Sequence, residues 1–399
     1  MSNLPRIAVV HPGLVIGGGS EACTIQLVVA LKDEYRVTII TSTQVNLKLF
    51  NEFYNSHISP GEVSILRIPA PLFLRNARRF AAMRGWRIGR YCKKNSSRFD
   101  LMFSMYGLMD FGTPSIQYIH DPMFNEHTLR LLHANPNRWQ NLFYRDTVFR
   151  KAYLRLGEYL ADFSLEGIKK NITLVNSDWT GKLARETYGL ETKTIYPPVA
   201  EEFPDIPWDK REDGFICMGR IIPEKQIEQA IDILTEVRTA GRNVHLHVVG
   251  RPIDVGYAQQ LKKKCLDKNE WISIENNFSA REKIEFVAKH KYGIHGKRNE
   301  PFGITVAEMV KAGCIVWVPK GGGQVEIVDH PDLIYSDLDD AVSKIISVIH
   351  SSERQALLRK HLAQQAGRFS TEQFKMAIRD IVRHTIAEKG RRDAGSSVT

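Results

Sequence analysis

Residues 292–328 read YGIHGKRNEPFGITVAEMVKAGCIVWVPKGGGQVEIV, and the fold can be worked out from this stretch. Tyr292 to His295 is a short apolar run that ends in the polar cluster Gly296-Lys297-Arg298-Asn299. Glu300 and Pro301 follow, then Val306, Met309 and Val310 at helical spacing. A proline fits the first turn of a helix, where its missing N–H costs nothing, so the helix is predicted to open at Pro301. Gly313 stops it, and Cys314 to Val318 reads as the next buried strand. Glu300 then sits just before the helix, and Glu308 lies about two turns into it. The amides of Phe302, Gly303 and Ile304 would be the unpaired donors of the helix end, where the positive end of the dipole also points, and such an end takes up phosphate. The two glutamates alone would equally fit a solvated helix face. The adjoining turn Gly321-Gly322-Gly323 and Glu326 favour a ligand site.

The same alternation runs outward in both directions. Gly214–Gly219, His245–Val249, Trp271–Glu275 and Leu333–Tyr335 read as strands, with helices between them and a capping box at Ser279 to Glu282. In the first half the strands are Arg6–His11, Arg36–Thr41, Val63–Ile68, Leu101–Ser104, Ser115–Ile119, Ile172–Val175 and Thr192–Tyr196. Gly17-Gly18-Gly19 links the first strand to a helix with Ser20 as its N-cap. This loop lacks the full spacing of a dinucleotide fingerprint. Pro197-Pro198 is a stiff break. The expected architecture is α/β with two Rossmann-like, doubly wound domains facing a cleft. Their bounds are 1–198 and 199–369, followed by a helix over 370–389 and a polar, disordered tail over 390–399.

The chain has 399 residues, 43% of them hydrophobic, which suffices for two cores. No apolar run reaches the roughly 18 residues of a membrane span, and no leader pattern precedes the first strand. The five cysteines are scattered, without metal-like spacing, which fits reduced thiols in a cytoplasmic protein. His245 and His247 alternate onto one strand face, but no third ligand is evident, so no metal is expected.

A formal charge of +10 favours an anionic partner. Val63 to Phe99 contains no acidic residue. There Arg75, Arg78, Arg79, Arg84, Arg87 and Arg90 lie among Phe73, Phe80, Met83, Trp86 and Ile88. A basic helix mixed with aromatic side chains fits an anionic membrane surface; an ordinary amphipathic helix with a solvated basic face fits it as well. No nucleic-acid motif accompanies the charge, so nucleic acid is not an expected partner.

Gly219-Arg220-Ile221-Ile222-Pro223-Glu224-Lys225 joins a strand to a helix and carries two cations. A nucleotide leaving group gains negative charge as its glycosidic bond breaks, and fixed cations stabilise that state. Together with Glu300-Pro301-Phe302-Gly303, Glu308 and the glycine turns, this element resembles the donor-binding core of retaining GT-B glycosyltransferases (glycosyl transferases group 1, family 4). Val175-Asn176-Ser177-Asp178-Trp179-Thr180, Tyr196-Pro197-Pro198 and Ile294-His295…Asn299-Glu300 also resemble pieces of lipid-linked-oligosaccharide mannosyltransferases.

The resemblance implies a metal-independent transferase that uses a nucleotide-diphosphate sugar, GDP-mannose or a UDP-sugar, and a glycan or lipid-linked acceptor. Arg220, Lys225 and the amides of Phe302, Gly303 and Ile304 would hold the diphosphate. Glu308 would accept from the ribose hydroxyls. Glu300 would contact the transferred sugar, and His120, at the end of a strand, would face it. Gly18 and Gly19 would approach the donor. The nucleobase would lie near the loop after Glu275, and the last helix would return to the first domain. Two other functions share the motifs: a sugar-nucleotide epimerase and a non-catalytic GT-B scaffold.

Overall fold

The computed structural model describes residues 4–69, 81–122, 126–132, 155, 157, 159, 162–199, 202–276 and 278–396. The chain forms two compact units: Met1–Glu126 with Phe143–Ala200 and Thr371–Thr399, and His127–Leu142 with Glu201–Ser370.

The first unit is built on seven strands: β1 Arg6–Val10, β2 Arg36–Thr41, β3 Ser64–Arg67, β4 Leu101–Ser104, β5 Ile116–Ile119, β6 Ile172–Val175 and β7 Thr192–Thr194. Their order is β3-β2-β1-β4-β5-β6-β7, and every pairing is parallel. β1 and β4 are nearly all apolar and buried, as a sheet covered on both faces requires. On one face Ile7, Val9, Leu101 and Phe103 pack with Ile25 and Val28 of the helix Gly19–Leu31. On the other, Ala8, Val10 and Met102 pack with Ile88 and Cys92 of the helix Ala81–Lys94.

The second unit repeats the plan with β8 Glu212–Met218, β9 His245–Val249, β10 Ile272–Glu275, β11 His290–Ile294, β12 Ile315–Pro319 and β13 Ile334–Tyr335, in the order β10-β9-β8-β11-β12-β13. These are two Rossmann orders. The strand order reverses between β1 and β4 in one unit and between β8 and β11 in the other. Loops at the carboxyl ends of the strands flanking such a switch point form the ligand crevice.

Two expectations change. The final helix runs from Thr371 to Ser396, through the expected tail. Gly390 costs about 1 kcal/mol in a helix, but the strong helix formers Lys389, Arg391 and Arg392 flank it. This helix belongs to the first unit. Phe374, Ile378, Ile381 and Val382 enter that unit's core, and Arg379 Nε donates to Ala30 O at 2.9 Å. The other change is at the domain boundary of 198, which misses an excursion: the chain from His127 groups with the second unit, where Asn299 Nδ2 donates to Leu131 O at 3.0 Å.

Candidate functional site

In the second unit, four loops meet at the carboxyl edge of the sheet. The loop after β8 carries Arg220, Lys225 and Gln226, and the loop after β11 carries His295, Lys297 and Glu300. They approach through glycine: a Cβ on Gly296 would lie 2.2 Å from Gln226 O, and one on Gly250, after β9, 1.7 Å from Gly219 O. The turn after β12 docks on Glu300 itself. Gly323 N donates to Glu300 O at 2.8 Å, and a Cβ on Gly322 would lie 2.4 Å from that oxygen. Gln324 locks the corner, its Nε2 donating to Lys297 O, Pro319 O and Gly321 O at 2.8, 3.1 and 3.2 Å.

These loops gather charge. Lys225 Nζ lies 2.9 Å from Glu300 Oε2, Lys297 Nζ 3.3 Å and His295 Nε2 3.6 Å, and all four side chains are largely buried. Burial pushes the Glu300 carboxyl up, but Lys225, Lys297 and His295 outweigh it and hold it well below the usual carboxylate range. Burial also lowers Lys225 and His295, against the pull of Glu300. Two lysines on one carboxylate oxygen leave an excess of positive charge in a site shielded from water. Arg220 is exposed and adds its field to that of Lys297 at Lys225. Neither Lys297 nor His295 was given a role from the sequence: Lys297 stood in a polar cluster at the end of a strand, and His295 only in the Ile294-His295…Asn299-Glu300 resemblance.

The helix of the quoted stretch spans Ile304–Lys311, three residues later than expected. Gly303 takes φ 103°, ψ 60° and serves as its N-cap, a conformation that glycine allows at little cost. Pro301 therefore precedes the helix. Val306 and Ala307 donate to Gly303 O, which leaves Ile304 and Thr305 as the first amides. The Phe302 ring is buried against Phe369, with centroids 5.6 Å apart. Glu308 is buried on this helix, and Lys283 Nζ lies 3.1 Å from its Oε1. A cavity of about 210 Å³ is lined by Ile221, Pro252, Val255, Ala258 and Ile274 together with the polar Gln259, Lys262 and Asn276. Asn276 belongs to the loop after β10.

In the first unit, His11 and His120 follow β1 and β5 at the carboxyl edge. Burial, with the neighbouring His11, lowers His120 to about 3, and burial lowers His11 to about 4, so both rings are neutral near pH 7. His120 Nε2 is buried without a hydrogen-bond partner, the ring packs 4.4 Å from that of Tyr118, and Asn176 Nδ2 donates to His120 O at 2.8 Å. The Gly18-Gly19 loop is pinned by Tyr54, whose hydroxyl accepts from Gly17 N at 2.9 Å and donates to Gly18 O at 3.2 Å. Ser20 does not cap the helix: Gly18 is the N-cap, and Ser20 Oγ donates to Glu21 instead, at 2.8 Å.

Of the basic segment, Arg75, Arg78 and Arg79 lie outside the described residues, as does the Arg84 side chain. Arg87 and Arg90 are exposed on the helix Ala81–Lys94. Trp86 lies on the same helix. Its ring is partly buried and lies so close to Gly157 that a Cβ there would come within 2.0 Å of it. Among the described residues, no helix is long and apolar enough to cross a membrane.

Residues 199–367 match the family model of glycosyl transferases group 1, which spans nearly the whole second unit. The chain is similar to GDP-Man:Man(3)GlcNAc(2)-PP-Dol alpha-1,2-mannosyltransferase of Mus musculus, 27% identical over 290 residues, covering 65% of this chain and 58% of the relative. It is also similar to Alpha-1,3/1,6-mannosyltransferase ALG2 of Homo sapiens, 24% identical over 237 residues, covering 51% of this chain and 56% of the relative. The chain thus spans less than two thirds of these curated relatives. Its fold matches that of Anabaena Alr3699/HepE, a structure in complex with UDP and glucose. The TM-score is 0.67 at 16% identity, over 95% of this chain and 99% of that one. The architecture is that of GT-B glycosyltransferases.

Proposed function

We propose that this protein is a retaining, metal-independent glycosyltransferase that moves a hexose from a nucleotide-diphosphate sugar to a glycan or lipid-linked acceptor. The observation that carries the reading is the pair of buried lysines, Lys225 and Lys297, on the single carboxylate of Glu300 at the switch point of the second sheet. A donor diphosphate would draw on Lys225 and Arg220, with the amides of Ile304 and Thr305 as further donors. Arg220 can bind two phosphate oxygens at once, while Lys225 acts as a point charge. Glu300 would then meet the sugar hydroxyls, Glu308 the ribose, and the cavity beside Ile221 the base.

In the reaction, the bond from the anomeric carbon to the phosphate oxygen breaks and its electron pair goes to the diphosphate. The acceptor hydroxyl bonds to the same face of that carbon, and its proton passes to the departing phosphate oxygen. The cations stabilise the charge that develops on the leaving group. His120, as a neutral ring, and the Gly18-Gly19 loop would also serve the transfer.

GDP-mannose is the first donor to test, because the curated relatives carry mannosyltransferase names. In a thermal-shift series of GDP-, UDP- and ADP-sugars, one nucleotide class should stabilise the protein, and Arg220→Ala should abolish the shift. No shift with any donor would refute the reading. NMR of the product should show the donor's anomeric configuration, and turnover should survive EDTA. We further propose that the exposed Arg87 and Arg90 favour an anionic, cytoplasmic membrane face, each contributing about 1 kcal/mol.

A further inference from the structure

Four side chains at the opposite edge of the second sheet have no part in that chemistry. Strand alternation puts His245 and His247 on one face of β9, where only two imidazoles were evident from the sequence. Sheet register adds the rest. His245 lies beside Gly214 and His247 beside Ile216 of β8, while His290 of β11 lies beside Glu212. Ring centroids of the three histidines lie 5.0, 5.7 and 4.8 Å apart. Glu212 Oε2 is 3.5 Å from His245 Nε2 and 3.8 Å from His290 Nε2. One ligand atom from each of the four residues falls within 4.8 Å of the others.

Two of the outer nitrogens are already engaged. His290 Nδ1 donates to Phe286 O at 2.8 Å, which leaves the lone pair on Nε2. His247 Nδ1 pairs with Ser273 Oγ at 2.5 Å, with Glu275 Oε1 at 3.4 Å. Carbonyl and carboxylate partners of this kind orient metal-bound imidazoles. Inside the cluster, His245 Nε2 and His290 Nε2 are buried with no hydrogen-bond partner. An unmet buried polar atom costs about 1–3 kcal/mol, and a cation would remove that cost. Gly214 provides the room, since a Cβ there would lie 2.1 Å from His245 Nε2. A glycine inside a strand otherwise weakens the sheet.

We propose that Glu212, His245, His247 and His290 form a structural Zn²⁺ site that ties β8, β9 and β11 together at their amino ends. Three imidazoles and a carboxylate suit zinc, and four protein ligands leave no open position for catalysis. In a zinc tetrahedron the ligand atoms lie about 3.3 Å apart, so the widest separation here closes by about 1.5 Å on loading. β8 is seven residues long, which puts about 20 Å between this edge and the Lys225 site. The proposal does not rest on the transferase reading.

The test uses the full chain, without an affinity tag, stripped by a chelator and titrated with Co²⁺ and then Zn²⁺. A single Co²⁺ per chain should give the intense visible bands of tetrahedral coordination, Zn²⁺ should displace it, and Zn²⁺ should raise the melting temperature. Glu212→Gln, at an exposed side chain, should bind Co²⁺ at least tenfold more weakly, and His245→Ala should lose the bands while circular dichroism stays that of the wild type. Absence of stoichiometric Co²⁺, or bands unchanged in both variants, would overturn the site.

Discussion

Glu300 Oε2 accepts Lys225 Nζ at 2.9 Å, within a site where both side chains are nearly buried. Under the proposed reading, a donor phosphate oxygen would take the place that the carboxylate holds on the lysine, so binding would exchange one anion for another and bury no bare cation.

Lys225→Ala should lower turnover at least tenfold, about 1.4 kcal/mol in the barrier. It also strips Glu300 of its nearest cation, and removal of one partner from a buried pair costs about 3 kcal/mol of stability. Urea denaturation and steady-state kinetics measure the two effects separately. Wild-type turnover in a folded variant would exclude Lys225 from the charge-stabilising role.

The lowered Glu300 pKa fixes a pH window. Its stabilisation is complete above the unfolded carboxyl value of about 4.3 and is lost as pH falls through the lower folded value. Wild type and Glu300→Gln should differ by a constant amount from pH 5 to 8 and converge on acidification below about 4.3. Parallel urea midpoints down to pH 3 would contradict the lysine–carboxylate geometry.

His120 shifts stability in the same direction from a different cause, because burial disfavours its charged form. It is neutral in the folded protein down to about 3, whereas the unfolded ring takes a proton near 6.5. Between these values the unfolded chain binds more protons, so stability falls with falling pH by about 1.4 kcal/mol per unit from this residue. His120→Gln should flatten that slope by about one proton. His120→Ala should cut turnover at least tenfold with donor affinity unchanged, and wild-type kinetics in that variant would remove the assigned role.

Gly322→Ala should be destabilised by about 2 kcal/mol, because the new Cβ meets Glu300 O at 2.4 Å and φ is +77°. The same displacement should raise the donor KM, through Glu300. A neutral effect on both would show that the turn is free to move away from Glu300.

Binding to vesicles containing phosphatidylserine should fall steeply between about 50 and 500 mM salt, as the Debye length shrinks. Arg87→Glu with Arg90→Glu should abolish it. Equal binding to neutral vesicles would remove the electrostatic surface from the proposal.

Read alone, the sequence determined the repeated strand–helix alternation in two halves and the placing of Arg220, Lys225, Glu300 and the glycine turns just after strands. Buried strands, glycine stops and helical spacing are local signals, and each is written within a dozen residues. Tertiary structure decided what those residues touch. Lys297 and His295 joined Lys225 on Glu300, Lys283 reached Glu308, and Trp86 settled on Gly157, because loops distant in sequence meet only once the sheets form. The start of the helix at Ile304 was set by the backbone of Gly303, and its extension through Gly390 by the helix formers around it. Glu212 and His290 lie far apart in sequence, and neighbouring positions in β8 and β11 brought them together with His245 and His247. Pattern along a chain reports which face of an element is buried; the register between elements, fixed by packing and backbone hydrogen bonds, decides which polar groups share that face.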